Sequence, residues 1–230
     1  VYKRQSKEDA FELGYLNMSK PESVQYVDKL LVNNSCFFRM YEIGKDSPKT
    51  RALAALIGKT VEQPFYTEMR TNQQLGYIVA SYPMSYDETY YLNFLIQSGD
   101  YPADDLNSRA NTFISSTPKI VEELTDETFQ QLIDSAIERL ERKPMSISER
   151  AMKNKNLIFE HNRDFERDNK TIEALREVKK EEVAVHLEKI ISEKSRKMAN
   201  ILAFAENHAN KYIVKSSFAD LEGWKSTKIY

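Results

Sequence analysis

One polar segment of the chain combines residue types that can donate hydrogen bonds to a carbonyl oxygen. It runs RTNQQLGYIV over residues 70–79 and passes from a helical pattern directly into a strand pattern. The guanidinium of Arg70 donates through a rigid fork, and the phenol of Tyr77 supplies one oriented O–H. Both groups can stabilise negative charge that develops on an oxygen atom. Spacing alone favours structural roles, with Arg70 as a cation at a helix end and Tyr77 as a packed sheet residue.

The histidines and the cysteine do not form a recognisable metal motif. The chain has three histidines, His161, His186 and His208, and the single cysteine Cys36. A hydrolytic zinc ion usually takes three protein ligands and keeps one position for water. None of the three histidines begins a His-x-x-Glu-His sequence, and one thiolate cannot replace them. We therefore predict no metal site and no catalytic residue in this chain, and structural roles for the histidines.

The segment at 70–79 and its flanks together resemble the C-terminal half of the insulinase and pitrilysin family of zinc metallopeptidases. The flanks are EQPFYTEM at 62–69 and YLNFLIQS at 91–98. The resemblance implies that Arg70 and Tyr77 face a peptide chamber and bind the substrate backbone. It also implies that the zinc ion sits in an N-terminal half, which carries the His-x-x-Glu-His motif. The expected partners are that N-terminal half and peptide substrates, and the chain alone is expected to be inactive.

Composition restricts the other classes of function. The chain has 230 residues, 41% hydrophobic and 30% charged, with a formal net charge of -2. With this nearly neutral balance the chain has no positive electrostatic field that would attract a polyanion, so nucleic acid is not an expected partner. The apolar runs, such as residues 92–96, are too short to span a membrane, and the first residues lack the apolar core of a signal peptide. One cysteine favours a reducing compartment, so we predict a cytoplasmic location.

Hydrophobic periodicity predicts strands first and helices later. Alternating or β-branched runs predict strands at 24–32, 36–43, 77–82, 90–97 and 196–204. Ser47 followed by Pro48 begins a helix, which Pro64 should kink or divide. Further helices are predicted from Pro102, from Thr125, from the Ser146 and Glu149 capping box, and over 171–177 and 180–191. This order predicts an α+β fold, an antiparallel or mixed sheet with helices on one face, which is also the fold that the resemblance implies.

This pattern, together with the preceding domain that the resemblance implies, suggests three regions. Residues 1–21 form a tail of a preceding domain or a linker, in which a helix is predicted at 5–17. Residues 22–205 form the domain, and residues 206–230, which include Trp224, form an extension that packs on it.

Several tyrosines lie in and around the two strands predicted at 77–82 and 90–97. They either line a peptide groove or cover the sheet, and the second interpretation is favoured. They lie at positions 82, 86, 90, 91 and 101.

Two other functions remain open from the sequence. The first is a catalytically inactive scaffold that keeps the family fold and serves in assembly or peptide capture. The second is a helical interaction module unrelated to peptidases, which would make the segment at 70–79 a coincidence. A coding sequence upstream that contains His-x-x-Glu-His would favour the peptidase over the scaffold.

Overall fold

The computed structural model describes residues 20–86, 88–208 and 214–227. The strands are β1 (Glu22–Lys29), β2 (Ser35–Lys45), β3 (Ile78–Tyr86), β4 (Thr89–Ser98) and β5 (Lys197–Phe204). The helices are α1 (Pro48–Tyr66), α2 (Ala103–Glu122), α3 (Asp126–Glu141), α4 (Ile147–Phe159), α5 (Arg167–Glu177), α6 (Lys180–Ile191) and α7 (Leu221–Ser226). The helix predicted at 5–17 lies outside the described residues. Every other predicted strand and helix is present, with boundaries that differ by a few residues.

The five strands form one mixed sheet in the order β1-β5-β2-β4-β3. β1 and β5 run parallel, and every other neighbouring pair is antiparallel. The predicted α+β fold with a mixed sheet is therefore confirmed. The parallel pair joins strands that lie at opposite ends of the domain sequence, since Glu22 pairs with Lys197 and Lys29 with Phe204.

One face of the sheet carries the core, because alternate residues of each strand point to the same side. In β2 the buried residues are every second one, from Ser35 to Ile43. Phe37 and Tyr41 stand opposite Ile96 and Leu92 of β4, and α1, α2 and α6 pack on this face. On the other face Phe38 and Met40 are only half-buried. The helices thus cover one side of the sheet, as predicted.

The three predicted helix caps are confirmed by hydrogen bonds. The Ser47 and Thr125 hydroxyls accept from the backbone N–H groups of Thr50 and Thr128 at 3.0 and 3.1 Å. Ser146 accepts from Glu149 N–H at 3.1 Å, and the Glu149 carboxylate accepts in return from Met145 N–H rather than from Ser146. Each cap satisfies amide groups that the first helical turn leaves without a partner.

Pro64 neither divides α1 nor begins a separate helix. α1 continues through Pro64 to Tyr66 and then widens into a π-helical turn, Thr67–Asn72. The N–H of Thr67, the first residue of the turn, donates to the carbonyls of both Gln63 and Pro64. A π-helical turn absorbs an interrupted hydrogen-bond ladder, and such turns are frequent at functional sites. Here the turn carries Arg70.

The outer edges of the two outermost strands, β1 and β3, have different neighbours. Along β1, Ser216 and Ser217 of the C-terminal segment hydrogen-bond to the backbone of Gln25 and Val27. Phe218 stacks between Tyr26 of β1 and Trp224 of α7. On the opposite side, β3 pairs only with β4 among the described strands and contains Pro83, a residue tolerated in an outer strand because it has no N–H to donate.

Candidate functional site

The structure brings Arg70 and Tyr77 together. Arg70 lies in the π-helical turn, Tyr77 lies immediately before β3, and the guanidinium carbon of Arg70 is 5.8 Å from the centre of the Tyr77 ring. Tyr77 is 87% exposed and Arg70 is half-buried. A cation over an aromatic face is attracted to it by about 0.5–1 kcal/mol at exposed sites, so the contact favours this arrangement of the two side chains. We call Arg70 and Tyr77 the surface pair.

The residues between the two members of the surface pair fix the turn from inside. Met69 and Leu75 are fully buried, and the N–H of Leu75 donates to the carbonyl of Met69 at 2.9 Å. A Cβ atom on Gly76 would lie 1.9 Å from the carbonyl oxygen of Gln97, so only glycine permits this approach to β4. Gln74 takes a left-handed conformation with φ of 52°. Buried neighbours and a close backbone contact therefore set where Tyr77 stands.

The side chain of Gln73 holds the turn. The Gln73 amide donates to Glu68 at 2.8 Å and accepts from Arg109 of α2 at 3.2 Å. Arg109 also bonds Asp105 and lies over the Tyr101 ring. The hydrogen bonds from Gln73 and Asn72 hold the pKa of Glu68 below its ordinary value. This network ties the π-helical turn to α2 and positions Arg70 indirectly.

A groove lies beside the π-helical turn, on the side facing α2. Its volume is about 590 Å³, and its walls include Pro64, Glu68, Gln73, Arg109 and Phe113. The walls of this groove do not include Arg70 or Tyr77. Within the described part of the chain, the surface pair thus stands on an open surface.

The histidines do not share hydrogen-bond partners. Nδ1 of His208 lies 3.2 Å from the Ser35 hydroxyl, and Nε2 of His186 lies 3.0 Å from the Ile43 carbonyl. Burial lowers the pKa of both His186 and His161. Across residues 20–86, 88–208 and 214–227, no three His, Cys, Asp or Glu side chains form a group that could hold a metal ion. The donors present here do not fit a catalytic zinc ion.

The tyrosines around β3 and β4 mostly serve packing or hydrogen bonding within the chain. Tyr90 accepts a hydrogen bond from Arg167, Tyr86 and Tyr91 contact each other at 6.2 Å between ring centres, and Tyr101 supports Arg109. Tyr82 is half-buried. These contacts agree with sheet cover, the interpretation favoured by the sequence.

One charged cluster was not predicted from the sequence. Asp46, in the loop between β2 and α1, accepts paired hydrogen bonds from both Arg51 of α1 and Arg167 of α5, at 2.7–3.0 Å. The side chains of Arg51 and Arg167 are 8% and 10% exposed. Although burial alone would raise the pKa of Asp46, the hydrogen bonds from the two arginines hold it below its ordinary value. We call these three residues the Asp46 cluster.

Comparison with known proteins places the chain in a class. Residues 56–155 match the family model described as PQQ synthase PqqF-like, C-terminal lobe domain 4. The chain is 32% identical to human insulin-degrading enzyme over 160 residues, which is 69% of this chain and 16% of that protein. It is 25% identical to protease 3 of Escherichia coli O6:H1 over 182 residues, which is 79% of this chain and 18% of that protein. The chain thus spans about a sixth of the length of these relatives.

Solved structures share the fold. Pitrilysin superposes with a TM-score of 0.75 at 22% identity, covering 90% of this chain and 22% of that one. A protease from Helicobacter pylori superposes with a TM-score of 0.66 at 12% identity, covering 86% of this chain and 48% of that one.

Together these matches define a peptidase-like C-terminal domain with an α+β fold. The chain belongs to the insulinase and pitrilysin family of metallopeptidases, as a homologue of insulin-degrading enzyme and protease 3. The resemblance inferred from residues 62–98 is therefore confirmed.

Within the described part of the chain, no helix is both long enough and apolar enough to cross a membrane.

Proposed function

We propose that the chain is the C-terminal domain, without the zinc site, of an insulinase-like zinc metalloendopeptidase. In this proposal it forms one wall of the peptide chamber, and the surface pair binds the backbone of the substrate. The observation that carries the proposal is the contact between Arg70 and Tyr77, which puts two hydrogen-bond donors at one exposed place. The homology to two proteases supports the reaction class.

The chemistry of the surface pair suits a peptide carbonyl. A guanidinium and a phenol both donate hydrogen bonds, and a peptide backbone offers one carbonyl acceptor per residue. Among the ion pairs of the described residues none includes Arg70, so its charge is not committed to a carboxylate of those residues. The ring of Tyr77 limits where the guanidinium can stand. Donors fixed in advance stabilise developing negative charge with little reorganisation.

In this proposal, hydrolysis depends on residues outside the described part of the chain. The donors around His161, His186 and His208 do not gather into a zinc site. The proposal places the zinc ion and its water in the N-terminal half of the enzyme, the expected partner of this domain, as the family resemblance implies. The substrates are peptides, and the surface pair is a binding and orienting element.

The first test measures turnover of a fluorogenic peptide by the chain alone and by the chain within its full-length enzyme. We expect no chelator-sensitive turnover by the chain alone. In the full-length enzyme, changing Tyr77→Phe should lower kcat/KM by about 10²-fold, the lower end of the effect of removing one transition-state donor in another hydrolase. Arg70→Gln should lower it as well.

The matched control is Tyr66→Phe. Tyr66 is also an exposed tyrosine, 44% exposed at the end of α1, and it is not part of the surface pair. Its change should leave kcat/KM within a factor of two. Equal kinetics for Tyr77→Phe and Tyr66→Phe, in proteins that fold normally, would remove the substrate-binding role.

A second candidate function is a catalytically inactive scaffold or peptide-capture domain. A peptidase M16 inactive domain from Pseudomonas fluorescens shares this fold, with a TM-score of 0.58 at 15% identity. If this chain has such a role, a labelled peptide would bind to the full-length protein and depend on Arg70, yet no condition would produce cleavage. Cleavage that zinc restores after chelation would exclude the scaffold.

A further inference from the structure

Besides Arg51 and Arg167, a third arginine is buried, and it has no carboxylate partner among the described residues. Arg39 lies on the helix-covered face of β2 and is 4% exposed. Its guanidinium donates to Asn200 at 3.1 Å, to Asn107 at 2.6 Å, to the Tyr41 hydroxyl at 3.2 Å, and to Asn111. All four partners are neutral, and within the described residues no ion pair includes Arg39.

The Asp46 cluster shows how the same fold treats other buried guanidinium groups. There two arginines share one carboxylate, with paired hydrogen bonds to each. Amide oxygens offer Arg39 hydrogen bonds but no compensating charge, and burial of a charge without a counter-ion is unfavourable. Burial accordingly lowers the pKa of Arg39. The guanidinium nevertheless stays charged, since an arginine is not deprotonated in proteins.

Arg39 forms part of the wall of a cavity of about 710 Å³ between β5, α2 and α6. Asn107, Asn111, Asn200 and Arg196 also line it. Two carboxylates, Glu188 and Glu193, reach the same cavity from exposed positions, and Glu193 lies 3.6 Å from Arg196. Of the two guanidinium groups at the cavity, the buried one has no carboxylate partner among the described residues; besides its four acceptors it lies 5.2 and 5.9 Å from the ring centres of Phe37 and Tyr41.

The direction of the hydrogen bonds determines what the cavity can accept. A guanidinium only donates, so Asn107 and Asn111 must turn their amide oxygens towards Arg39. Their NH₂ groups then face away from Arg39. The two residues are four positions apart on α2, so they occupy the same face of that helix. The side-chain amide groups left for a bound molecule on α2 are therefore donors, whereas the carboxylates of Glu188 and Glu193 lie at the exposed part of the cavity.

We propose that this cavity binds a small oxyanion, a phosphate or carboxylate group, with Arg39 as its counter-ion and the amides of Asn107 and Asn111 as further donors. The anion supplies the negative charge that Asp46 supplies to Arg51 and Arg167. The site lies on the helix-covered side of the sheet and is independent of the surface pair and of peptide binding.

The test uses thermal unfolding and calorimetric titration of the full chain with sodium phosphate or sodium acetate, with sodium chloride at equal ionic strength as reference. We expect phosphate or acetate, but not chloride, to raise Tm and to give a saturable binding heat. The tighter of the two identifies the preferred oxyanion. Equal responses to all three salts would overturn the proposal.

The decisive variant is Asn107→Asp, which keeps the shape of the side chain and places a carboxylate beside Arg39. This built-in counter-ion should raise Tm without added anion and weaken phosphate or acetate binding by at least tenfold. Asn154→Asp, the same change at an exposed position of α4, should leave binding unchanged. If Asn107→Asp binds the anion as tightly as the unchanged protein, the anion is bound elsewhere and the assignment is wrong. Arg39→Met should also abolish binding, and Asn107→Asp decides the question if Arg39→Met does not fold.

Discussion

The Asp46 cluster and the surface pair use the same kind of side chain in opposite ways. In the Asp46 cluster, two arginines are about nine-tenths buried and committed to one carboxylate, joining α1, α5 and the loop after β2. In the surface pair, Arg70 touches the ring of a tyrosine that is 87% exposed. The first arrangement contributes to folding, whereas the second leaves its donors available to a molecule outside the chain.

The difference indicates that one residue type can serve stability at a buried position and, as proposed for Arg70, binding at an exposed one. Within residues 69–77 both kinds of position occur, because Met69, Leu75 and Gly76 are packed whereas Arg70 and Tyr77 are not. If this division is correct, substitutions should separate cleanly into those that change the free energy of unfolding and those that change substrate binding.

The largest expected effect is that of Asp46→Asn. Removing one partner of a buried ion pair leaves uncompensated charge and costs about 3–5 kcal/mol, and we expect the lower end because Asp46 is 19% exposed. Urea unfolding measures this change. Asp134→Asn, at an exposed position of α3, should change the free energy of unfolding by less than about 0.5 kcal/mol. Similar values for both variants would contradict the structural role of the cluster.

Next in size is Gly76→Ala. A Cβ atom there would overlap the Gln97 carbonyl, so the start of β3 must shift, at a cost of about 2–3 kcal/mol in line with other overpacked sites. Gly99→Ala is the matched control, because its Cβ would lie at an ordinary 3.6 Å from Asn33. In the full-length enzyme Gly76→Ala should also lower kcat/KM, since it moves Tyr77. An unchanged free energy of unfolding would show that the chain tolerates a Cβ atom at position 76, against the close approach to Gln97.

The pH dependence of stability gives a third test. The pKa of Asp46 is lower in the folded chain than its ordinary value, so its contribution is fully present above about pH 4. That contribution is lost as pH falls through the folded pKa. Urea unfolding between pH 7 and pH 2 should therefore show the advantage of the unchanged protein over Asp46→Asn shrinking on the acid side. A constant difference across this range would mean that Asp46 is not the titrating group.

The smallest expected effect on stability is at the surface pair. Tyr77→Phe and Arg70→Gln should each change the free energy of unfolding by less than about 0.5 kcal/mol. Tyr90→Phe is the comparison, because its hydroxyl accepts a hydrogen bond from Arg167 and its loss should cost about 1 kcal/mol. A large destabilisation by Tyr77→Phe would make the surface pair a structural element and remove the contrast.

Local features of the fold were predictable, and long-range ones were not. Ser47, Thr125 and Ser146 predicted helix starts correctly, because the capping hydrogen bond joins each hydroxyl to a backbone N–H only three residues later. Alternating or β-branched runs predicted the five described strands, with boundaries that differ by a few residues. Sequence patterns did not reveal the parallel pairing of β1 with β5, since the two strands are about 170 residues apart.

The site divides in the same manner. Arg70 and Tyr77 were singled out because the segment at 70–79 and its flanks resemble the family, whereas their spacing alone favoured structural roles; the structure brings the two side chains into contact. The support from Gln73 and Arg109 was missed because the two residues are 36 positions apart and an Arg–Gln contact has no sequence signature. The π-helical turn was missed because Pro64 predicts an interruption without determining whether the helix ends, bends or widens.

The pairing of Ser216 and Ser217 with β1 also bears on self-association. A polymer built by continuing the sheet from one copy to the next needs an accessible strand on both sides of each copy. Here one side is occupied by the chain's own later residues, so at most two copies could join through β3, and growth would stop at the dimer. Deleting residues 214–227 should therefore convert a terminating contact into one that can propagate into fibres.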